Sequence, residues 1–438
     1  MKSALLLSLS ALALAAPTKE SASGSKIAFS RARHQHKPRA DGTVDLDRFL
    51  GTLKYTALKY NKDFQLPEIL QKASLVHKRD TDAEDPLTDQ VEGDEDELYY
   101  GPGTIGAAQQ RFTFDFDTGS SDTFVPGPQC GTAQGCPHPQ KYNQQGQDEH
   151  NTTSITYGSG QVTGENYFDT LTVAGLTAQK QNIVSLTQAA GFNTSDADGL
   201  LGLAFPSIAA SKSTPYFFNL VNQGTVNPTE FSFYLGRQKS GTAQNSELTL
   251  GGRDEAKYTG AFTNVPVTSQ TYWQVAINGA KVGSGLNPPT LPTTAGQAAI
   301  DTGTTLIIAP TTAAASIFAQ IPGSIPLPLG VGVPLITLFA YPCAEKPNVS
   351  LVFANKGFAI NNLDFNFGTL SEGLGLGLAN NTIAGQLANG YCLAGLAGAD
   401  LDPTQNLWVV GDTFLKNWYS TYHYTSPTSA YVAFAKAV

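Results

Sequence analysis

One short phrase occurs twice and constrains the fold more than anything else in the chain. Phe116-Asp117-Thr118-Gly119-Ser120-Ser121 returns as Ile300-Asp301-Thr302-Gly303-Thr304-Thr305. Each copy follows an apolar strand, breaks it with a Gly able to take positive φ, and continues into hydroxyl residues. Each Asp therefore hangs from the end of a buried strand, which presents a carboxylate rather than solvating it. A second matching element follows each copy later: Asp198-Gly199-Leu200-Leu201-Gly202-Leu203 and Leu407-Trp408-Val409-Val410-Gly411-Asp412, where two apolar residues precede a Gly. The repeated unit is thus a whole lobe, and two carboxylates sit in matching settings.

A chain of 438 residues is long enough for two lobes that each bury a core. With 43 Gly, 25 Pro, 23 Phe and 17 Tyr it reads as short strands and turns, an all-β class. Along Phe112-Thr113-Phe114-Asp115-Phe116-Asp117 the alternation is strict. The three Phe therefore face one side and pack inward, while Thr113, Asp115 and Asp117 face the other and look into a cleft. Ser154 to Thr163 reads as a β-hairpin with a short, Gly-containing tip. From Phe49 to Tyr60 the apolar residues fall at roughly helical spacing instead.

Charge divides the chain. Residues 16–79 hold 13 Lys/Arg against 6 Asp/Glu, net +7, whereas Asp80 onward holds 13 against 30, net −17. Opposite charges attract, so the two parts are expected to associate. The strong negative charge repels phosphates, and no nucleotide loop or basic patch offsets it, so nucleic acid is excluded as a partner. Met1-Lys2 followed by the apolar run Ala4 to Ala16 reads as a signal peptide, 1–15, too short to span a bilayer. Lys78-Arg79 is a dibasic processing site where the composition changes, and 80–97, with ten acidic residues, reads as a disordered linker. The apolar stretch Ile321 to Tyr341 is interrupted by prolines and reads as part of a lobe, so no membrane anchor is expected. Asn151, Asn193, Asn348 and Asn380 each head an Asn-x-Ser/Thr sequon.

Taken together, the doubled Asp-Thr-Gly phrase and its apolar-apolar-Gly partners resemble a pepsin-like aspartic protease, from about Tyr99 to the C-terminus. Asp115-Phe116-Asp117-Thr118-Gly119-Ser120-Ser121-Asp122 is similar to the fungal secreted branch. The resemblance implies a bilobal fold with its active site in the cleft between an N-terminal lobe, 98–260, and a C-terminal lobe, 261–438. It implies Asp117 and Asp301 as the catalytic pair, in turns made by Gly119 and Gly303. Ser120 and Thr304, three residues on, are placed to hydrogen-bond the outer carboxylate oxygens and hold the two groups coplanar. Tyr157-Gly158-Ser159 resembles the flap that closes over bound peptide, and Asp115 stands at a pocket wall. Four cysteines allow three pairings; Cys130 with Cys136 plus Cys343 with Cys392 needs only local closure, and the family pairs them the same way. Leu58-Lys59-Tyr60 resembles the Lys-Tyr of family pro-segments, so residues 16–79 become an intramolecular inhibitor with Lys59 between the two acids. Phe124 departs from the family, which often has a Trp there that donates a hydrogen bond to the flap Tyr.

Peptide hydrolysis needs an activated water and a proton donor for the carbonyl oxygen. Two carboxylates sharing one proton supply both, with no metal and no cofactor, because neighbouring like charges do not both ionise readily. The expected partners are protein or peptide substrates, and the expected state is a monomer. A Lys-accepting pocket in fungal relatives commonly uses an Asp two residues after the flap Tyr; here that residue is Ser159, so apolar or aromatic residues are expected at the cleavage site. Two rivals weigh less. An Asp-x-Asp phosphotransferase reading of Asp115 and Asp117 leaves Asp301 unexplained, and a catalytically silent peptide-binding, inhibitor or storage protein would usually lose an Asp or the flap Tyr.

Overall fold

The structure, a computed structural model, describes residues 24–28, 30–31, 43–44, 46–72, 99–157, 160–190, 197–237, 246–283, 288–329, 336–370 and 390–438. The signal peptide (1–15), Lys78-Arg79, the acidic linker (80–97), Gly158, Ser159, Asn193 and Asn380 lie outside the described residues. Strands dominate what is described, and the architecture is the expected all-β, bilobal one.

The same strand arrangement is built twice, once around each Asp-Thr-Gly phrase. Strand Gln110–Asp117 lies parallel to Gly199–Gly202, and the other side of Gly199–Gly202 is antiparallel to Thr123–Pro126. In the second half Gly296–Ile300 lies parallel to Leu407–Val410, whose other side is antiparallel to Ile307–Ala309. Each returning strand is thus inserted between the two arms of an acid loop. The Gly that ends each returning strand is dictated by that insertion: a Cβ on Gly202 would lie 2.5 Å from the carbonyl carbon of Ser121, and one on Gly411 would lie 1.9 Å from Thr304 O. No side chain fits there.

The alternation along Gln110–Asp117 appears as predicted on its apolar side, with Phe112, Phe114 and Phe116 all buried in one core with Leu201 and Leu203. The opposite face is buried as well, since Asp115 and Asp117 are both enclosed. The hairpin extends further than its sequence suggests: Gln147–Tyr157 pairs antiparallel with Gly160–Val173, and Tyr157 opposes Gly160 at the tip. The stretch from Ile321 folds into the antiparallel pair Ile325–Leu329 and Ile336–Pro342. No helix among the described residues is long and apolar enough to cross a membrane.

Strands from both halves share one 15-stranded sheet. In it Glu247–Leu250 pairs with Glu230–Tyr234, then come Trp418–Tyr424, Ala430–Ala437 and Tyr258–Gln270. Trp273 closes the junction: its indole Nε1 donates to Leu203 O at 2.9 Å and its ring packs 4.7 Å from that of Phe205. Disulfides join Cys130 to Cys136 and Cys343 to Cys392.

The basic segment is built into this framework. Ser25–Ala28 pairs antiparallel with Glu247–Leu250 at the edge of the large sheet, a strand the sequence reading did not anticipate. Lys26 Nζ meets Asp254 Oδ2 at 2.7 Å. Helix Leu46–Tyr60 starts three residues before the expected stretch and buries Phe49, Leu50, Leu53 and Ala57 against Leu306, Ile308, Leu338 and Phe367. The Phe49 and Phe367 rings meet edge to face at 5.1 Å.

Candidate active site

Asp117 ends its strand and Asp301 follows its own by one residue, and both are fully buried where the two acid loops meet. The loops are tied by a symmetric set of hydrogen bonds. Thr118 Oγ1 donates to Ile300 O at 2.8 Å and Thr302 Oγ1 donates to Phe116 O at 2.7 Å. Each hydroxyl also accepts from the opposite backbone: Thr118 N donates to Thr302 Oγ1 at 3.1 Å, and Thr302 N to Thr118 Oγ1 at 3.0 Å. The sequence reading did not assign these threonines a role. The signal was there, because Thr occupies the same place in both copies of the phrase.

Gly119 and Gly303 are needed for a different reason from the one expected. Neither takes positive φ. Instead each is crossed by the carboxylate of the other loop: a Cβ on Gly119 would lie 2.5 Å from Asp301 Oδ1, and one on Gly303 would lie 2.4 Å from Asp117 Oδ1. The closeness of the two acids sets the residue. The same glycines present their N–H groups to their own acids, Gly119 N to Asp117 Oδ1 at 2.7 Å and Gly303 N to Asp301 Oδ1 at 2.9 Å.

The two outer oxygens differ. Thr304 Oγ1 donates to Asp301 Oδ2 at 2.6 Å, as expected. Its counterpart is placed less well: Ser120 Oγ and Asp117 Oδ2 are both buried and no hydrogen bond of ordinary geometry joins them, although the hydroxyl is near enough to favour the charged carboxylate. The asymmetry follows from what lies between the acids. Lys59 Nζ donates to Asp117 Oδ1 at 2.9 Å, to Asp301 Oδ2 at 2.9 Å and to Asp301 Oδ1 at 3.2 Å. Tyr60 Oη donates to Asp301 Oδ2 at 2.9 Å, and its ring lies 4.6 Å from that of Tyr272. Asp301 thus receives the larger share of donors.

Protonation follows this geometry. Burial is the largest influence on Asp117 and pushes its carboxyl up to about 6; Lys59 pulls it down, the Asp301 charge pushes it up, and Ser120 pulls it down. Burial also works against ionisation of Asp301, but Lys59 and the hydrogen bonds around it prevail and hold it below the usual carboxylate range. Burial works to lower the pKa of Lys59; the two carboxylates outweigh it and raise that pKa well above the ordinary value. Asp115, on the same face as Asp117, is held well above the usual range by burial first and by the Asp117 charge second.

The remaining candidates are placed as follows. Tyr157 ends the first hairpin strand. Asn151 and Asn348 are exposed, and Asn151 Oδ1 accepts from Asn166 Nδ2. Among the described residues no group of three or more His, Cys, Asp or Glu is arranged to hold a metal ion.

The family described as Eukaryotic aspartyl protease matches residues 98–437. An aspartic protease of Phaffia rhodozyma is 36% identical over 417 residues, spanning 94% of this chain and 91% of the relative. Cathepsin E of Mus musculus is 33% identical over 330 residues, spanning 74% and 77%. Cathepsin D of Clupea harengus is 34% identical over 350 residues, spanning 78% and 82%.

Proposed function

Because the chain belongs to the eukaryotic aspartyl protease family, whose members are aspartic endopeptidases, we propose that it is an exported, glycosylated, monomeric enzyme made as an inactive precursor. After loss of residues 16–79 it hydrolyses peptide bonds of proteins in acid, with preference for apolar or aromatic residues at the cleavage site. The observation that carries this reading is the pair of buried carboxylates, one from each lobe, bridged by a single ammonium. With Lys59 withdrawn, the space between them takes a water. The ionised member of the pair removes its proton as it attacks the peptide carbonyl, and the protonated member donates to the carbonyl oxygen. The titration belongs to the pair rather than to either acid.

Acid is also what opens the precursor. Relative to the same site without the ammonium, Lys59 lowers the pKa of both carboxyls. Its hold is therefore fully present above the unclamped values and is lost as pH falls, first through about 6 for Asp117 and then through the lower value of Asp301. Lys59 itself, with a raised pKa, stays charged throughout and is not the switch. A precursor with Lys78-Arg79 replaced is expected to be silent near neutrality and to activate itself below about pH 6, digesting an unfolded protein in a manner blocked by a statine-type transition-state mimic. Digestion indifferent to the mimic contradicts the mechanism. Full activity at neutral pH, or silence undiminished in Lys59→Ala, contradicts the clamp.

A further inference from the structure

The hairpin Gln147–Tyr157 and Gly160–Val173 loses its simple register near the base. Asp148 faces Tyr167 and Thr152 faces Glu165, so Glu149, His150 and Asn151 stand opposite Asn166 alone. A bulge of this kind takes backbone groups out of the ladder, and something else has to meet them. Asn166 does so. Its Nδ2 faces Asn151 O at 3.4 Å, Thr153 Oγ1 at 2.9 Å and Asn151 Oδ1. Its Oδ1 accepts from Thr153 Oγ1 at 3.0 Å and from Asn182 Nδ2 at 3.1 Å, the latter from the neighbouring strand Leu176–Ala189. Asn166 and Asn182 are each only 3% exposed. A buried carboxamide bonded at both ends is fixed in one orientation.

The chemistry sets which ends meet. Asn151 O is a backbone carbonyl and takes only a donor, so the end of Asn166 turned toward it is the amide nitrogen. The end of the Asn151 side chain turned to that nitrogen is then its oxygen. Its own Nδ2 is left facing away, has no hydrogen-bond partner among the described residues, and belongs to an exposed residue. Asn151-Thr152-Thr153 is a sequon, so the free nitrogen is the atom that takes a sugar. The hydroxyl of the same sequon, on Thr153, is buried against Asn166.

We propose that Asn166 is a holder for an N-linked glycan on Asn151: the sugar is attached before the hairpin closes, and the closed hairpin then keeps the linkage amide gripped through its oxygen. In the attachment the Asn151 Nδ2–H is replaced by a bond to the sugar C1. The donor is an oligosaccharide linked through diphosphate to a lipid; its C1–O bond breaks, and the proton leaves with the diphosphate. The product keeps the planar amide and its Oδ1, so the bond from Asn166 persists. Hydrolysis of that amide puts developing negative charge on Oδ1, which a cleaving enzyme must reach with donors of its own. Here that oxygen is turned into the bulge and already taken.

This inference deepens the glycosylation part of the proposed function and rests on it. The precursor is secreted from a eukaryotic host that glycosylates, its glycopeptides are mapped, and the protein is treated near neutral pH with a peptide N-glycosidase, which hydrolyses Cγ–Nδ2 and leaves Asp. Asn348, exposed and with no side-chain partner among the described residues, is the internal control. Release from Asn151 is expected to be at least about tenfold slower in the native than in the urea-unfolded protein, the factor one net hydrogen bond is worth, with a smaller difference at Asn348. Asn166→Asp keeps the shape but removes the donor, and should speed native release at Asn151 without changing Asn348. Equal release from native and unfolded wild type overturns the holder without needing any variant to fold. So does slow release that persists in a folded Asn166→Asp. An empty Asn151 beside other occupied sequons overturns the site alone, whereas a secreted chain with no glycan at all overturns the glycosylation reading and the site with it.

Discussion

Thr118 and Thr302 decide whether the two acids meet, because each hydroxyl gives one hydrogen bond to the opposite strand and takes one from the opposite loop. Thr118→Val keeps the branched shape but leaves Ile300 O and Thr302 N without those partners in a dry site. The expected cost is about 2–4 kcal/mol, from one to two buried groups left unsatisfied. Urea unfolding should record it, with kcat falling more than KM rises, whereas Thr118→Ser should restore both. A Val variant as stable and as fast as wild type would remove the threonines from the account. At this scale the sequence was informative about identity and misleading about cause. Asp117, Asp301 and their glycines stood out by repetition, but the glycines are explained by the carboxylate crossing each of them, a contact over about 180 residues that no local pattern encodes. Ser120 differs from Thr304 for a related reason. Its match to Thr304 is a match of sequence, while the ammonium and phenol delivered by the basic segment load Asp301 more heavily than Asp117.

Among the elements, helix Leu46–Tyr60 is what delivers Lys59. Its apolar spacing was legible, though its register against the cleft was not, because that register depends on Phe49, Leu50 and Leu53 entering a cluster made of residues from Leu306 to Phe367. Strand Ser25–Ala28 was illegible since four residues carry no period, and it is defined by the edge of Glu247–Leu250 that receives it. The acid strand Gln110–Asp117 was the easiest to read, because three Phe at a spacing of two admit one orientation only. If the helix is held on the lobe mainly by that apolar contact, Phe49→Ala should weaken its docking by about 3–5 kcal/mol, the usual cost of deleting a buried ring. The pH at which the precursor activates should then move upward, read as the midpoint of appearance of activity across a pH series. An unchanged midpoint would mean that the ionic clamp alone holds the segment.

For the whole molecule, the doubling that opens the sequence has its consequence in the cleft. Neither lobe carries a complete site; each contributes one strand-end acid, one Thr to the other's backbone and one Gly thin enough to let the other's carboxylate pass. The shared sheet and Trp273 fix the lobes so that these halves face each other. The bilobal plan was legible because a repeat of whole lobes leaves the same phrase twice. The junction was less so, since it is built from strands as distant as Glu230–Tyr234 and Ala430–Ala437. If the two halves act as one proton-sharing unit, removing either carboxylate must be nearly as damaging as removing both. The most direct measurement is the initial rate of peptide cleavage in acid by Asp117→Asn, Asp301→Asn and the double variant, each checked for native secondary structure by circular dichroism. Both single variants are expected to lose at least about a hundredfold to ten-thousandfold, as for loss of a general acid or base, with little further loss in the double variant. A single variant that folds and retains near-wild-type cleavage would contradict the paired-carboxylate mechanism.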